Sequence, residues 1–155
     1  MWIEVLSIGK IRENFVVEGT RYYTDKLKHF CNIELTELAL KEAVQDPIAL
    51  VHAESDLLIK RLKPKHLLVL LDQRGLSPDS PEWAHKLQKW EDQGQHRLQI
   101  VVGGAYGVDQ VLRDKADWVW SLSPLTFPHP LVRLILFEQL YRAMCINHRI
   151  PYHHG

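Results

Sequence analysis

His129 stands between two prolines in the run Ser123-Pro124-Leu125-Thr126-Phe127-Pro128-His129-Pro130. Imidazole takes or gives a proton near neutral pH, so His129 is a candidate general base, or a proton acceptor working through water. Pro124, Pro128 and Pro130 each fix φ and push the preceding residue out of the helical region, which makes the loop stiff. Pro130 also suits the first turn of a following helix. The loop reads either as a rigid connector whose histidine caps that helix or as a ligand-binding loop held in one shape. Glu138 and Arg142, four residues apart, share a helix face. They form either a surface ion pair worth about 0.3–0.5 kcal/mol or, at an interface, a carboxylate that rivals His129 as base beside a guanidinium that holds a phosphate. The closing Pro151-Tyr152-His153-His154-Gly155 offers a stacking ring and two imidazoles suited to phosphates or base edges, or else is a frayed end.

A second constellation lies upstream. An apolar stretch, RLQIVV, runs into Gly103, Gly104 and Gly107. Glycines at a strand's end let the backbone turn sharply or approach a ligand closely, and open α/β sheets bind ligands at the carboxyl ends of their strands. The dinucleotide fingerprint is excluded, because it needs glycine at Val102 and should follow the first strand. No Walker A pattern occurs. At the end of the apolar run HLLVLLD, Leu71 is placed to face a bound group and Asp72 either caps a turn or joins the site.

Gly103-Gly104 with Gly107, then W-S-L-S-x-L-T-x-P-H-P from Trp120 to Pro130, the helix L-V-R-x-x-x-x-E-Q-x-Y-R-A from Leu131 to Ala143, and the closing P-Y-H together resemble the SPOUT-class methyltransferases of bacterial large-subunit ribosomal RNA, the methyltransferase H family. The resemblance is densest from about residue 98 onward and extends to the opening Ile3–Gly9. It implies methylation of N3 of a pseudouridine in 23S ribosomal RNA with S-adenosylmethionine as donor, in the assembled ribosome of the cytoplasm, by a homodimer without metal. It implies a carboxyl-terminal trefoil knot, which pattern reasoning alone would not propose. It also implies a cofactor pocket lined by Leu71, Gly104, Ser123, Pro124, Leu125, Thr126, Phe127 and Pro128. The catalytic candidates are then His129, Glu138 and Arg142, and the RNA-binding candidates Arg142, Tyr152, His153 and His154. Relatives usually carry arginine or lysine where this chain has His154, so any charge contact there depends on protonation. A non-catalytic nucleotide- or RNA-binding module is the alternative reading. A metal hydrolase built on Cys145, His148, His153 and His154 lacks the convergent spacing that zinc needs.

These residues need a scaffold. At 155 residues, 46% hydrophobic and 25% charged, the chain suits one domain, residues 1–155, able to bury roughly 70% of its unfolded surface. No apolar run approaches the ~20 residues of a membrane span, and the opening MWIEVLSIGK lacks the pattern of a signal peptide. Cys31 and Cys145 match no zinc or redox spacing and read as reduced cytosolic thiols. Lysine plus arginine and aspartate plus glutamate both number 19, so no global basic field announces nucleic acid. From residue 129 onward, Arg133, Arg142 and Arg149 outnumber Glu138, giving a local basic region with a salt-dependent affinity for phosphate.

The alternation of apolar and amphipathic runs predicts an α/β domain with a largely parallel sheet flanked by helices. Strands are expected near residues 2–8, 33–38, 66–71, 98–102 and 117–121, and helices near 12–29, 47–62, 80–93, 107–114 and 130–147. The last helix is apolar nearly all round between Leu131 and Ile146, and such a helix should be buried nearly all round. A second copy of the chain would supply the missing cover through a two-fold interface.

Overall fold

The computed structural model describes all 155 residues. Five strands, β1 (Trp2–Ile8), β2 (Asn32–Leu38), β3 (Leu67–Leu76), β4 (Arg97–Val102) and β5 (Trp118–Trp120), form one sheet in the order β2-β1-β4-β3-β5. Every pairing is parallel. Between and after them lie α1 (Asn14–Leu27), α2 (Pro47–Ile59), α3 (Ser80–Asp92), α4 (Gln110–Lys115) and α5 (His129–Asn147). Three helices begin at aspartates that accept from amides of the first turn: Asp46 from Ala49 at 2.8 Å, Asp79 from Glu82 at 2.8 Å and Asp109 from Leu112 at 2.9 Å. Such caps stabilise a helix by about 1 kcal/mol each.

The apolar run of β3 has its explanation in the two layers of helices. Val69 enters a core shared with Trp83 of α3 and Leu136, Phe137 and Leu140 of α5, while Leu68 and Leu70 enter a second core with Leu58 of α2 and Leu112 of α4. A strand covered on both faces has no polar side to show.

Helix α5 lies between α1 and α3 on the sheet. Gly19 of α1 is its point of close approach, because a β-carbon there would run into the Leu134 side chain. Within one subunit the helix is covered on one side. Arg133, Leu136, Phe137, Leu140, Ala143, Met144 and Cys145 are buried within the subunit, and the opposite stripe of Leu131, Ile135, Glu138 and Arg142 is half-exposed. Its own chain therefore buries Leu136, Phe137, Leu140, Ala143, Met144 and Cys145, while Leu131, Val132, Leu134, Ile135, Tyr141 and Ile146 stay partly exposed.

A departure from expectation lies at the end of β3, which runs on to Leu76 instead of stopping at Leu71. Strand β5 pairs first with Val69–Leu71 and then, after a register shift, with Leu76. The amide of Ser121 donates to the Leu76 carbonyl at 2.8 Å and the Ser77 hydroxyl to the Ser121 carbonyl at 3.1 Å. Asp72–Gly75 bulge away between the two pairings, and β5 passes so close to Gly75 that a β-carbon there would collide with the Val119 backbone. Trp120 is held in place from the other side by Trp83, whose ring stacks on it at 4.1 Å.

Candidate functional site

At the carboxyl ends of β3, β4 and β5 lies a cavity of about 540 Å³, within the usual range for a small-molecule site. Its walls are the bulge after Leu71, the glycine turn after Val102, the loop from Ser121 to Phe127, and His129 and Val132 at the start of α5. Gly107 donates its amide to the Gly104 carbonyl at 3.0 Å, closing the glycine turn. The proline-rich loop is braced from within: the Ser121 hydroxyl donates to the Ser123 carbonyl at 3.1 Å, and the Leu125 amide to the Ser123 hydroxyl at 3.0 Å. Leu71, Val102, Leu122, Phe127 and Val132 give the cavity apolar surface, and the two turns give it backbone polar groups. That combination suits a nucleoside, with a flat ring to cover and polar edges to read.

His129 is fixed by a hydrogen bond between its Nε2 and the carbonyl of Gly103. A carbonyl only accepts, so Nε2 carries the hydrogen, and in the neutral ring Nδ1 is the atom with a lone pair. Burial holds the imidazole below its ordinary pKa, and the nearby Arg133 charge adds to that, against the raising effect of the Gly103 bond. Arg133 itself is buried; it donates to the Ile8 carbonyl and pairs with Glu37 at 3.2 Å. Glu37 in turn accepts from the Ile11 amide at 3.1 Å. The start of α5 is thus tied to the carboxyl ends of β1 and β2 by a cation held in place.

Asp72, on the cavity rim, is both a turn residue and an ion-pair partner. It accepts from the Arg74 amide at 2.9 Å and pairs with Arg113 of α4 at 2.8 Å. Burial acts to raise its pKa, but Arg113 and Arg74 outweigh it and hold the carboxyl below the usual aspartate value.

A second cluster lies along α5. Glu138 accepts from Nε of Arg142 at 3.0 Å, from Gln139 at 2.7 Å and from the Tyr152 hydroxyl at 3.0 Å. The Tyr152 hydroxyl also lies 3.3 Å from that of Tyr23 in α1, and Arg142 reaches Nδ1 of His153 at 3.2 Å. The Glu138 hydrogen bond raises the pKa of Arg142, and burial together with Tyr23 and Glu138 raises that of Tyr152. The tail is therefore docked on α5, and the frayed-end reading does not hold for Tyr152 and His153. His154 is exposed.

Of the residues singled out from sequence, Leu71, Gly104, Ser123, Leu125, Thr126, Phe127 and His129 line one cavity. Pro124 and Pro128 belong to the same loop but are exposed and outside the lining. Glu138, Arg142, Tyr152 and His153 form the other cluster. Nine residues of helix separate Glu138 from His129, about 13 Å of rise. The sequence reading missed Glu54 of α2, a buried carboxylate whose Oε2 has no hydrogen-bond partner and which sits against Gly104. Its signal was legible: Glu54 and Leu58 are four apart, so the helical period places a charge on the buried stripe.

The comparisons with known proteins agree with this geometry. The family described as "Predicted SPOUT methyltransferase" matches residues 1–153. Proteins named "Ribosomal RNA large subunit methyltransferase H" from Acetivibrio thermocellus and Desulfitobacterium hafniense are 39% and 36% identical, with 99% and 97% of this chain and 99% and 98% of theirs covered. One from Acinetobacter baylyi is 34% identical over 99% of each chain. Among solved structures, "Probable Methyltransferase from Bordetella pertussis Tohama I" superposes with a TM-score of 0.53 at 11% identity, covering 92% of this chain and 95% of that one, a likeness of fold. With the glycine turn and the proline-histidine-proline loop closing around one nucleoside-sized cavity, and with full-length relatives of that kind, the chain belongs to the SPOUT methyltransferase family.

Proposed function

We propose that this protein methylates N3 of a pseudouridine in large-subunit ribosomal RNA, using S-adenosylmethionine and acting as a cytoplasmic homodimer on the assembled ribosome. The observation that carries the reading is the cavity itself: the strand-end glycine turn, Leu71, the stiff Ser123–Phe127 loop and His129 all meet there. A methyl donor of nucleoside type fits this lining. Apolar Leu71, Leu122 and Phe127 would cover the adenine, while backbone groups held by the Ser121 and Ser123 bonds would read its edge with little ordering cost on binding. When bound, S-adenosylmethionine supplies an electrophilic methyl group on a sulfonium.

The chain's own residues then have two tasks. One is to hold the acceptor nitrogen in line with the methyl carbon, a positioning effect that can lower a barrier by several kcal/mol. The other is to receive the proton lost from N3 as the new nitrogen–carbon bond forms and the carbon–sulfur bond breaks. Nδ1 of His129 is the lone-pair atom available for it, directly or through water. Glu138 already accepts four hydrogen bonds, two of them from Arg142, which commits its lone pairs and favours an orienting role in which it aims Arg142 and Tyr152.

The dimer is supported by the outward stripe of α5 and by its neighbours on α1, since Phe15 and Tyr22 are 62% and 57% exposed beside it. That the Glu138–Arg142–Tyr152 cluster lies about 13 Å of helix rise from His129 of the same protomer supports a composite site, with the cavity from one subunit and the RNA-facing cluster from the other. The bulge at Asp72–Gly75, crossed closely by β5, is the place where the family's knot would be threaded. The decisive experiment is mass spectrometry of large-subunit RNA from cells lacking the gene, with methyl transfer restored by the purified protein on ribosomes. Unchanged RNA in such cells would overturn the reading.

A further inference from the structure

Two acids are buried in this chain, and whereas Glu4 pairs with Lys63 at 3.0 Å, Glu54 has a carboxylate oxygen without a hydrogen-bond partner. Its side chain, 9% exposed, projects from α2 beneath the glycine turn, and its Oε2 meets neither a donor nor solvent. The carboxyl group touches Gly104, where even a β-carbon would displace it, while Gly104 itself lines the cavity. One thickness of backbone therefore separates an unpartnered carboxyl from the ligand space. On α2 and the neighbouring α4, His52 hydrogen-bonds with Asp109, which caps α4, at 2.9 Å, and Arg113 pairs with Asp72 at 2.8 Å. No cation of the protein neutralises Glu54, and burial accordingly raises its pKa.

We propose that Glu54 is a specificity-determining residue that makes the cavity prefer the cationic methyl donor over its neutral, demethylated product. The inference rests on the cofactor reading above. The donor bears a sulfonium charge that the product lacks; both keep the same adenosine and amino-acid parts. A carboxyl behind Gly104 would give up its proton to solvent when the sulfonium arrives and take one back when the methyl group has left. A carboxylate screened by so little acts through a low local dielectric, so a difference of about tenfold in affinity is a reasonable size for the effect. The consequence for turnover is release of product in preference to donor.

The test is calorimetric titration of the native chain and of Glu54→Gln with S-adenosylmethionine and, separately, S-adenosylhomocysteine, in buffers of different ionisation enthalpy, with thermal unfolding as a check on folding. The expected result is a loss of about tenfold in donor affinity with product affinity unchanged, and proton release on donor binding by the native chain that is absent in the variant. An unchanged affinity ratio, or an equal loss for both ligands, overturns the proposal and leaves Glu54 a structural residue. Glu54→Asp serves as a second variant, retaining the charge with a shorter reach; loss of the donor preference there as complete as in Glu54→Gln would also count against a role for the charge. If the native chain binds neither ligand, the cofactor reading falls, and this inference with it.

Discussion

The hydroxyl of Tyr152 donates to Glu138 at 3.0 Å, fastening the last residues of the chain to the middle of α5. Arg142 completes the clamp, with its guanidinium bonded to Glu138 and lying 4.8 Å above the Tyr152 ring. The groups proposed to meet RNA are thus ordered in the free chain, which would lower the ordering cost of binding.

Deleting Tyr152–Gly155 should abolish methyl transfer to ribosomes while sparing S-adenosylmethionine affinity, and should also lower the unfolding midpoint, because the tail is part of a network. Tyr152→Phe isolates one bond and should cost about 1 kcal/mol in denaturant unfolding. A truncated protein with native activity and stability would show that the docked tail serves neither purpose.

His129→Gln keeps a donor for the Gly103 carbonyl and removes the basic Nδ1. Single-turnover methylation should slow by about 10²- to 10⁴-fold, with ribosome affinity nearly unchanged. Because burial lowers the histidine's pKa from 6.5, the native rate should hold steady through neutral pH. It should fall only as the medium drops below that value and the ring protonates. A rate profile without that acid limb would remove His129 from proton transfer.

A side chain at position 104 points at Glu54, not into the cavity. Gly104→Ala should therefore destabilise the fold, by about 1–3 kcal/mol if the contact cannot relax. Combining it with Glu54→Ala should restore part of the loss, as measured by a double-mutant cycle in urea. Additive effects would show that the two positions do not touch.

Arg113→Met removes the main partner of Asp72, whose side chain is 8% exposed. A loss of about 1–3 kcal/mol is expected near neutral pH. The sign of its pH dependence follows from the lowered aspartate pKa: the native pair contributes above 3.8, and the contribution disappears as pH falls through the folded-state value. Native and variant stabilities should converge in acid. A gap that stays constant would assign the loss to packing.

Sedimentation at micromolar concentration should show a dimer. Ile135→Glu, on the half-exposed stripe of α5, should yield a folded monomer with impaired methylation, whereas Leu136→Glu should unfold the subunit, because Leu136 is wholly buried in its own core. A folded monomer of the native chain would sink the composite-site reading.

The sequence by itself determined the alternation of strands and helices, the stiffness of the proline-rich loop and the glycine turn. Each is set by neighbours a few residues apart, through φ restriction and apolar period. The resemblance to the methyltransferase family, not a local pattern, grouped Leu71, Gly104, Ser123, Leu125, Thr126 and Phe127 in one pocket, and the folded chain adds His129 to that lining. Tertiary structure decided what depends on distant partners. Pairing of β5 with Leu76 extended β3, Trp83 and the sheet buried one side of α5 within one subunit, and Tyr23 and Glu138 docked a tail that reads as loose. Glu54 came to lie under Gly104 only because α2 packs across the glycine turn, fifty residues away in sequence. Contacts of that kind leave no local pattern, since burial and partnership are properties of the packed chain.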